Sequence, residues 1–158
     1  MARQLWLLRD GEAEPHDARE DPARRLTPRG ERQAQDAGAA LAALGVELTA
    51  AYTSPRVRAL DTAKLACEAL GVEPSVDEAL SGGWGADEAR ALMEGHDADA
   101  RVLVVGHEPD FSQVVHDLTG GRIDLKKGGV AAVRLDGARA ELFVLLRPRE
   151  LESLAADA

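Results

Sequence analysis

Short apolar runs of strand length alternate along the chain with longer segments whose apolar residues recur at helical spacing. A continuous apolar run is typical of a strand in a parallel sheet that helices cover on both faces. Strands alternating with helices therefore predict a mostly parallel sheet covered on both faces. The predicted strands are Arg3 to Leu8, Leu48 to Thr53, Val72 to Val76 and Arg101 to Val105.

Capping residues mark the ends of the predicted helices. Thr27 followed by Pro28 is typical of a helix start, and Gly45 ends that helix after about Leu44. The segment before it, Glu12 to Arg25, is polar and contains prolines, so it is predicted to be a loop. The other predicted helices cover residues 54–70, which Gly71 ends, 86–95 and 109–118.

The last part of the chain predicts a β-hairpin. Val130 to Leu135 and Ala140 to Leu146 flank Asp136-Gly137-Ala138-Arg139, which is a typical turn sequence. The acidic, alanine-rich tail from Glu150 is expected to be frayed or helical. We therefore predict a single domain over residues 1–158, folded as a three-layer α/β/α sandwich with a mostly parallel sheet of about six strands.

Length and composition narrow the class of protein. Hydrophobic residues make up 45% of the 158 residues, but no stretch approaches the roughly 18 apolar residues of a membrane span. The apolar start, Leu5 to Leu8, is too short for a signal-peptide core, so a cytoplasmic protein is expected. Cys67 is the only cysteine, which excludes an internal disulfide and a cysteine-rich metal site. It lies in an apolar stretch and is expected to pack in the core.

The net charge of −9 argues against a general nucleic-acid binder, which would carry a basic stripe. It argues equally against attraction to an anionic membrane. Any phosphate bound by this acidic chain must therefore be held in a local cationic pocket. The cations comprise 16 arginines and 3 lysines, and arginine suits bidentate binding of oxyanions.

Polar residues follow three of the predicted strands. Arg9-Asp10-Gly11 follows the first strand, Ser54 to Arg58 the second, and Gly106 to Pro109 the fourth. In sheets of this kind ligands bind beyond the carboxyl ends of the strands. We therefore expect these segments to meet in one crevice, where Arg9, Arg58 and His107 would form a phosphate pocket.

These segments resemble the motifs of the histidine phosphatase superfamily, whose fold is phosphoglycerate mutase-like. That family carries Arg-His-Gly after its first strand, Ser-Pro-x-x-Arg-Ala-x-Gln-Thr after its second and Gly-His after a later one. The short length, with no large insertion, is similar to the SixA-type phosphohistidine phosphatases, and the resemblance covers roughly residues 3–147. The matching segments are Leu7 to Glu14, Arg25-Leu26-Thr27-Pro28-Arg29-Gly30, Ser54-Pro55-Arg56-Val57-Arg58-Ala59-Leu60-Asp61-Thr62-Ala63 and Val104 to Pro109.

The resemblance implies a role for each matching residue. In the family the first histidine attacks phosphorus, while two arginines and a second histidine hold the phosphoryl oxygens. By position, Arg9 and Arg58 are the clamp, His107 is the second histidine and Gly11 lies against the phosphate. Arg56 falls on a variable position, so it either joins the clamp or only solvates the helix start. Asp61 stands where the family usually has glutamine, which is expected to alter only a secondary contact.

The serious departure is Asp10, which stands where the family has its nucleophilic histidine. A carboxylate is shorter than imidazole and is negatively charged at neutral pH, so it repels a phosphate dianion. Arg9, Arg58 and His107 could hold Asp10 in their own clamp and leave an autoinhibited pocket. Aspartate can instead accept a phosphoryl group, but the chain shows no magnesium-ligand motif, and we expect no metal and no cofactor. Either a natural inactive variant or an engineered substitution would give this sequence.

Other ionisable residues match no motif. The proton donor to the leaving group is open: Glu78, Asp87 and Glu88 lie mid-chain, and Glu78 is expected to be solvated. Lys126 and Lys127 either edge the pocket or are solvated residues before a strand. The remaining histidines are expected to be surface or structural residues: His16, His96 and His116.

Two classes of function are consistent with these motifs. The first is a SixA-like phosphatase that hydrolyses phosphohistidine on a protein or another small phosphomonoester, with low or absent activity because of Asp10. The second is a pseudo-phosphatase that keeps the fold and binds a phosphorylated protein or an anion without turnover. Neither nucleic acid nor membrane is an expected partner.

Overall fold

The structure, a computed structural model, describes residues 2–157. The strands are β1 (Arg3–Arg9), β2 (Ala50–Thr53), β3 (Pro74–Val76), β4 (Arg101–Gly106), β5 (Val130–Asp136) and β6 (Arg139–Leu146). The helices are α1 (Pro28–Ala43), α2 (Val57–Leu70), α3 (Ala86–Glu94), α4 (Asp110–Thr119) and α5 (Pro148–Ala156), with short 3-10 helices at Asp21–Ala23 and Glu78–Ser81.

The six strands form one sheet in the order β3-β2-β4-β1-β5-β6. Strands β1 to β4 run parallel to one another, whereas β5 runs antiparallel to both β1 and β6. The predicted mostly parallel sheet of about six strands is confirmed, and so is the hairpin that ends it. The parallel strands all place their carboxyl ends at the same edge of the sheet.

Each face of the sheet carries its own apolar core. Alternating side chains of β1 supply both cores: Leu5 and Leu7 pack with α3 and α4, and Trp6 and Leu8 pack on the opposite side with α1, α2 and α5. This is the predicted three-layer arrangement. The tail is helical, and Leu151 of α5 is fully buried in the second core.

Two strands are shorter than the apolar runs that predicted them. Strand β2 begins at Ala50 and β3 at Pro74, while the preceding Leu48 and Val72 pack from loops against the second core. An apolar residue that packs on the core from a loop gives the same sequence pattern as one in a strand. The apolar runs therefore predicted strands that begin too early. Helix α2 likewise begins at Val57, later than predicted.

The start of α1 is fixed by the residues that predicted it. The Thr27 hydroxyl accepts from the backbone N–H of Gly30 at 3.1 Å and donates to Glu12 Oε2 at 2.8 Å. A Cβ on Gly11 would lie 2.7 Å from the Gly30 carbonyl oxygen. Glycine at position 11 therefore lets the chain that leaves β1 pass close to the first turn of α1.

Two expectations from composition concern the rest of the chain. Cys67 is buried in the second core, and burial raises the pKa of its thiol to about 11. Among residues 2–157, no helix is long and apolar enough to cross a membrane.

Candidate active site

A cavity of about 180 Å³ lies at the carboxyl edge of the parallel strands. The structure brings together here the four residues that were predicted to share one pocket: Arg9 at the end of β1, Asp10 directly after it, Arg58 in the first turn of α2, and His107 after β4. The other lining residues are Gly11, Ala13, His16, Asp21, Arg24, Glu108 and Lys127.

The carboxylate of Asp10 is buried and paired with Arg58. Its Oδ2 lies 2.7 Å from Arg58 Nε and 3.6 Å from His107 Nδ1. The backbone holds Asp10 on both sides, because its N–H donates to the Gly106 carbonyl and its own carbonyl accepts from the Gly128 N–H, each at 3.0 Å. Asp10 is therefore a fixed negative charge in the cavity wall.

The guanidinium of Arg58 is engaged by acidic residues at all three of its nitrogen atoms. Besides the Nε contact with Asp10, Nη1 donates to the Asp21 carbonyl oxygen at 2.9 Å, and Nη2 donates to Asp21 Oδ2 at 3.4 Å. Each terminal nitrogen carries a second N–H group, so an oxyanion that binds Arg58 would share the guanidinium with these two aspartates. Of the two arginines that were expected to hold Asp10, Arg58 does so.

Arg9 lines the cavity but does not hold Asp10. Its Nη1 donates to the Leu125 carbonyl oxygen at 2.8 Å, while its Nε is buried and has no hydrogen-bond partner among the described residues. The loop before β5 crosses the end of β1, where the Gly128 N–H donates to the Arg9 carbonyl at 3.1 Å. That loop offers a nearer acceptor than Asp10, which corrects the expectation of a shared clamp.

The imidazole of His107 has one bonded and one unbonded nitrogen. Nε2 lies 2.7 Å from Ser54 Oγ, which orients the ring, while Nδ1 is buried with no hydrogen-bond partner in the described part of the chain. Gly106 allows the close packing beneath it, since a Cβ there would lie 2.8 Å from Phe111 Cζ. The ring is thus oriented with Nδ1 on the Asp10 side.

The loop after β1 is tied to α2 through Thr62. The Gly11 N–H donates to Thr62 Oγ1 at 3.1 Å, and that hydroxyl donates to the Arg58 carbonyl at 2.7 Å. These bonds fix Asp10 and Arg58 relative to each other. Because its N–H is already used, Gly11 lines the cavity as a close-packed wall rather than as a free donor.

Asp21 is a cavity residue that was not predicted from the sequence. It lies in the predicted loop before α1, where its carboxylate pairs with Arg24 at 2.8 Å and also with Arg56 and Arg58. Burial alone would raise its pKa, but the hydrogen bond from Arg24 and the charges of Arg58 and Arg56 outweigh burial and lower the pKa. No motif marks Asp21, and nothing in the sequence pattern of its loop singles it out.

Protonation of Asp21 is expected to weaken the folded state at low pH. A lowered pKa in the folded protein contributes stability that is present above the unfolded pKa of about 3.9 and is lost as pH falls through the folded value. Thermal unfolding of the parent and of Asp21→Asn, from pH 7 downward, would measure this. The parent should have the higher Tm above about pH 4, and the difference should shrink below it; a difference that grows on acidification would contradict the assignment.

Several residues that the sequence left open lie outside the cavity. Arg56 donates from Nε to the Ser81 carbonyl at 2.9 Å and pairs with Asp21, so it joins two loops instead of lining the cavity. Glu88 caps α3 by accepting from the Gly85 N–H at 2.9 Å. Glu78 is exposed, as expected, and Asp87 is exposed as well. Of the three candidate proton donors, Glu78, Asp87 and Glu88, none lines the cavity.

The sequence left the roles of two lysines and three histidines undecided, and the structure places some of them at the cavity and others elsewhere. Lys127 lines the cavity, whereas the exposed Lys126 lies beside it. His16 is exposed and also lines the cavity, although it matches no motif. His96 Nε2 lies 2.9 Å from the Tyr52 hydroxyl, which is a structural contact. His116 is exposed in the last turn of α4.

Comparison with known proteins gives matches along most of the chain. The profile of the histidine phosphatase superfamily (branch 1) matches residues 5–101. An uncharacterised protein of Picosynechococcus sp. (strain ATCC 27264 / PCC 7002 / PR-6) is 33% identical over 162 residues, covering 94% of this chain and 98% of the relative.

Solved structures show the same fold. The protein histidine phosphatase SixA complexed with tungstate superposes with a TM-score of 0.84 at 26% identity, over 94% of this chain and 99% of that one. Phosphoglycerate mutase from Bacillus anthracis str. Sterne gives a TM-score of 0.80 at 14% identity, over 98% and 97% of the two chains. The predicted phosphoglycerate mutase-like fold is thereby confirmed.

Proposed function

The chain belongs to the histidine phosphatase superfamily (branch 1), and we propose that it is a SixA-like member whose cavity binds the phosphoryl group of a phosphohistidine-bearing protein but hydrolyses it poorly. The fold supports a phosphatase-type function. The observation that carries the finer proposal is the 2.7 Å contact between Asp10 Oδ2 and Arg58 Nε.

The cavity offers donors that suit a tetrahedral oxyanion. Arg9 Nε and His107 Nδ1 are both buried without a hydrogen-bond partner among the described residues, and such groups are costly unless a partner satisfies them. A phosphoryl group between them would accept from Arg9 and from the His107 tautomer that carries its proton on Nδ1. The SixA structure that this fold resembles holds tungstate, an oxyanion of the same shape class.

Transfer of the phosphoryl group requires more than binding. Its charge has to be balanced by donors such as Arg9, Arg58 and His107, and a nucleophile has to face phosphorus. The residue at that position is Asp10, whose charge opposes an incoming dianion and whose oxygen is already bonded to Arg58. The site therefore has the means to hold a phosphoryl group and lacks the neutral nitrogen that would attack it.

A second candidate function is a pseudo-phosphatase that binds a phosphorylated protein without turnover. The contacts of Arg58 with Asp10 and Asp21 favour it, because these two residues compete with a substrate phosphoryl group for the same guanidinium. Both candidates share the anion site. They differ in whether any hydrolysis follows binding.

Removing the charge of Asp10 is expected to strengthen oxyanion binding. Asp10→Asn keeps the side-chain shape, abolishes the repulsion and loosens the hold on Arg58 Nε, so tungstate should bind at least about tenfold more tightly, or about 1.4 kcal/mol. Calorimetry at low ionic strength measures this. Asp61→Asn, the same chemical change on a half-buried residue that does not line the cavity, serves as the control. Equal affinity of Asp10→Asn and the parent would contradict the proposed repulsion.

A further inference from the structure

A second and wider groove lies beside the cavity and is strongly basic. Its volume is about 520 Å³, and it shares Arg9 and Lys127 with the cavity, so the two are adjacent. Among residues 2–157, Glu12 is the one acidic residue that lines it. The basic groove is defined by six cations: Arg9, Arg29, Lys126, Lys127, Arg147 and Arg149.

This concentration of positive charge stands out on a chain whose net charge is −9. Some of it is balanced locally, since Arg147 pairs with Glu150 at 2.5 Å and Lys126 pairs with Asp124. Arg29, Lys127 and Arg149 make no ion pair with any described residue. Glu12 offsets one further positive charge, and the groove still keeps a positive excess.

The positions of two of these arginines are unfavourable for the helices that carry them. Arg29 is the second residue of α1 and Arg149 the second residue of α5. A helix N-terminus is the positive end of its dipole, where cations destabilise and anions stabilise. Both helices thus add positive potential to the groove, and helix stability alone does not account for arginine at either position.

Local contacts fix the groove next to the cavity. Gln33 of α1 accepts from the Glu12 N–H at 2.9 Å, and the Gly128 backbone packs against the same side chain, because a Cβ there would lie 2.9 Å from Gln33 Cβ. The loop after β1, the start of α1 and the loop before β5 are thereby packed together. A ligand that placed one group in the cavity would extend over these elements.

We propose that the basic groove binds an acidic segment that flanks the phosphorylated residue on a protein substrate, which rests on the proposed function of the cavity. The cavity of about 180 Å³ suits a phosphoryl group, and the adjoining space is nearly three times larger. The cations come from several chain segments and most are exposed, so their excess charge matches a ligand with several carboxylates. A chain segment rich in Asp and Glu carries several carboxylates and continues directly from the phosphorylated residue.

The test compares two peptides that carry the same hydrolysis-stable phosphohistidine analogue, one flanked by Asp and Glu and the other by Asn and Gln. We expect the acidic peptide to bind the parent at least about tenfold more tightly, with an advantage that falls as salt is raised. Arg29→Gln/Arg149→Gln should abolish that advantage. Arg101→Gln/Arg139→Gln removes the same charge at the first residues of β4 and β6, at the opposite edge of the sheet, and should preserve it.

Tungstate affinity, measured on the same proteins, separates failure of the groove from failure of the cavity. If tungstate binds and the two peptides bind equally, the groove proposal is wrong and the cavity proposal stands. If the control pair reduces the advantage as much as the groove pair, the effect is one of net charge and the groove proposal is also wrong. If Arg29→Gln/Arg149→Gln weakens the binding of inorganic tripolyphosphate but not of the acidic peptide, the groove binds a small polyanion. That result would overturn the proposal that it binds a protein segment. Absence of both tungstate and peptide binding would reject the two proposals together.

Discussion

Asp10→His is expected to raise the turnover of a phosphohistidine peptide on the order of a hundredfold or more above the low turnover proposed for the parent. Arg9, Arg58 and His107 already line the cavity, and Ser54 orients the His107 ring through a 2.7 Å contact with Nε2. The histidine would supply the neutral nucleophile that Asp10 lacks, and it would release Arg58 Nε from its carboxylate partner. Hydrolysis of a phosphohistidine peptide by both proteins measures the gain.

Asp10→Asn is the matched control for this gain. It removes the same negative charge and frees Arg58, but its amide is a poor nucleophile. We expect it to bind tungstate and to leave the phosphohistidine peptide intact, so that turnover requires the histidine and not merely a neutral side chain. An acid-labile phosphoenzyme should be trapped from the histidine variant alone, because a phosphorylated imidazole is labile in acid.

Folding stability should not explain the difference in turnover. The buried Asp10 carboxylate lies against Arg58, so it balances the positive charge of that guanidinium. The Asp10→His variant is therefore expected to have a lower Tm than the parent, even though it is the more active protein. Circular dichroism melts of both proteins would establish that turnover is compared between folded states.

Two results would contradict this account of Asp10. Robust and equal turnover by the parent would mean that the carboxylate itself accepts the phosphoryl group, and an aspartyl-phosphate should then be trapped. Absence of turnover in both folded proteins would mean that activity is lost beyond this residue. The pseudo-phosphatase function would then replace the enzymatic one.

The sequence identified the strand ends but not the loop that lies across them. Arg9, Asp10 and His107 lie at the carboxyl ends of two strands that continuous apolar runs predict, so the parallel topology places them at one edge. Asp21 lies instead in a polar loop with no periodicity, and its partner Arg58 is 37 residues away. Contacts of that kind depend on how the loop folds back, which neither local propensity nor a motif records.

The same limit applies to the direction of each arginine. The sequence placed Arg9 and Arg58 in one clamp, but it did not show that Arg9 would bond the Leu125 carbonyl while Arg58 bonded two carboxylates. The acceptor that a long side chain bonds depends on which oxygens the tertiary packing places near its end. In the same way, Lys127 lines the cavity and Lys126 does not, although they are adjacent in the sequence.

Arg58→Ala is expected to weaken tungstate binding by about 1.5–3 kcal/mol, or roughly 10- to 150-fold, which is the scale of a charge-assisted hydrogen bond. The informative background is Asp10→Asn. In the parent, Arg58 is already bonded to Asp10, and its removal would leave a buried carboxylate without its nearest cation. In the asparagine background, the loss reports mainly on the contact between Arg58 and the anion.

Arg56→Ala provides the control for this measurement. Arg56 precedes Arg58 by two residues and pairs with the same Asp21 carboxylate, but it does not line the cavity. Its removal should therefore change tungstate affinity by less than about threefold while causing the same loss of charge. Calorimetry on Asp10→Asn, with and without each arginine change, gives the comparison directly.

The outcome decides whether Arg58 is a ligand of the anion or only a partner of the acidic residues. Unchanged affinity in a folded Asp10→Asn/Arg58→Ala protein would show that the anion is held without Arg58, which would remove it from the proposed clamp. Binding by Asp10→Asn but not by the parent would show that Asp10 occupies the clamp in the native protein, and it would overturn the proposal that the native cavity binds a phosphoryl group. Loss of that binding on Arg58→Ala would then identify Arg58 as the cation for which the carboxylate and the phosphoryl group compete.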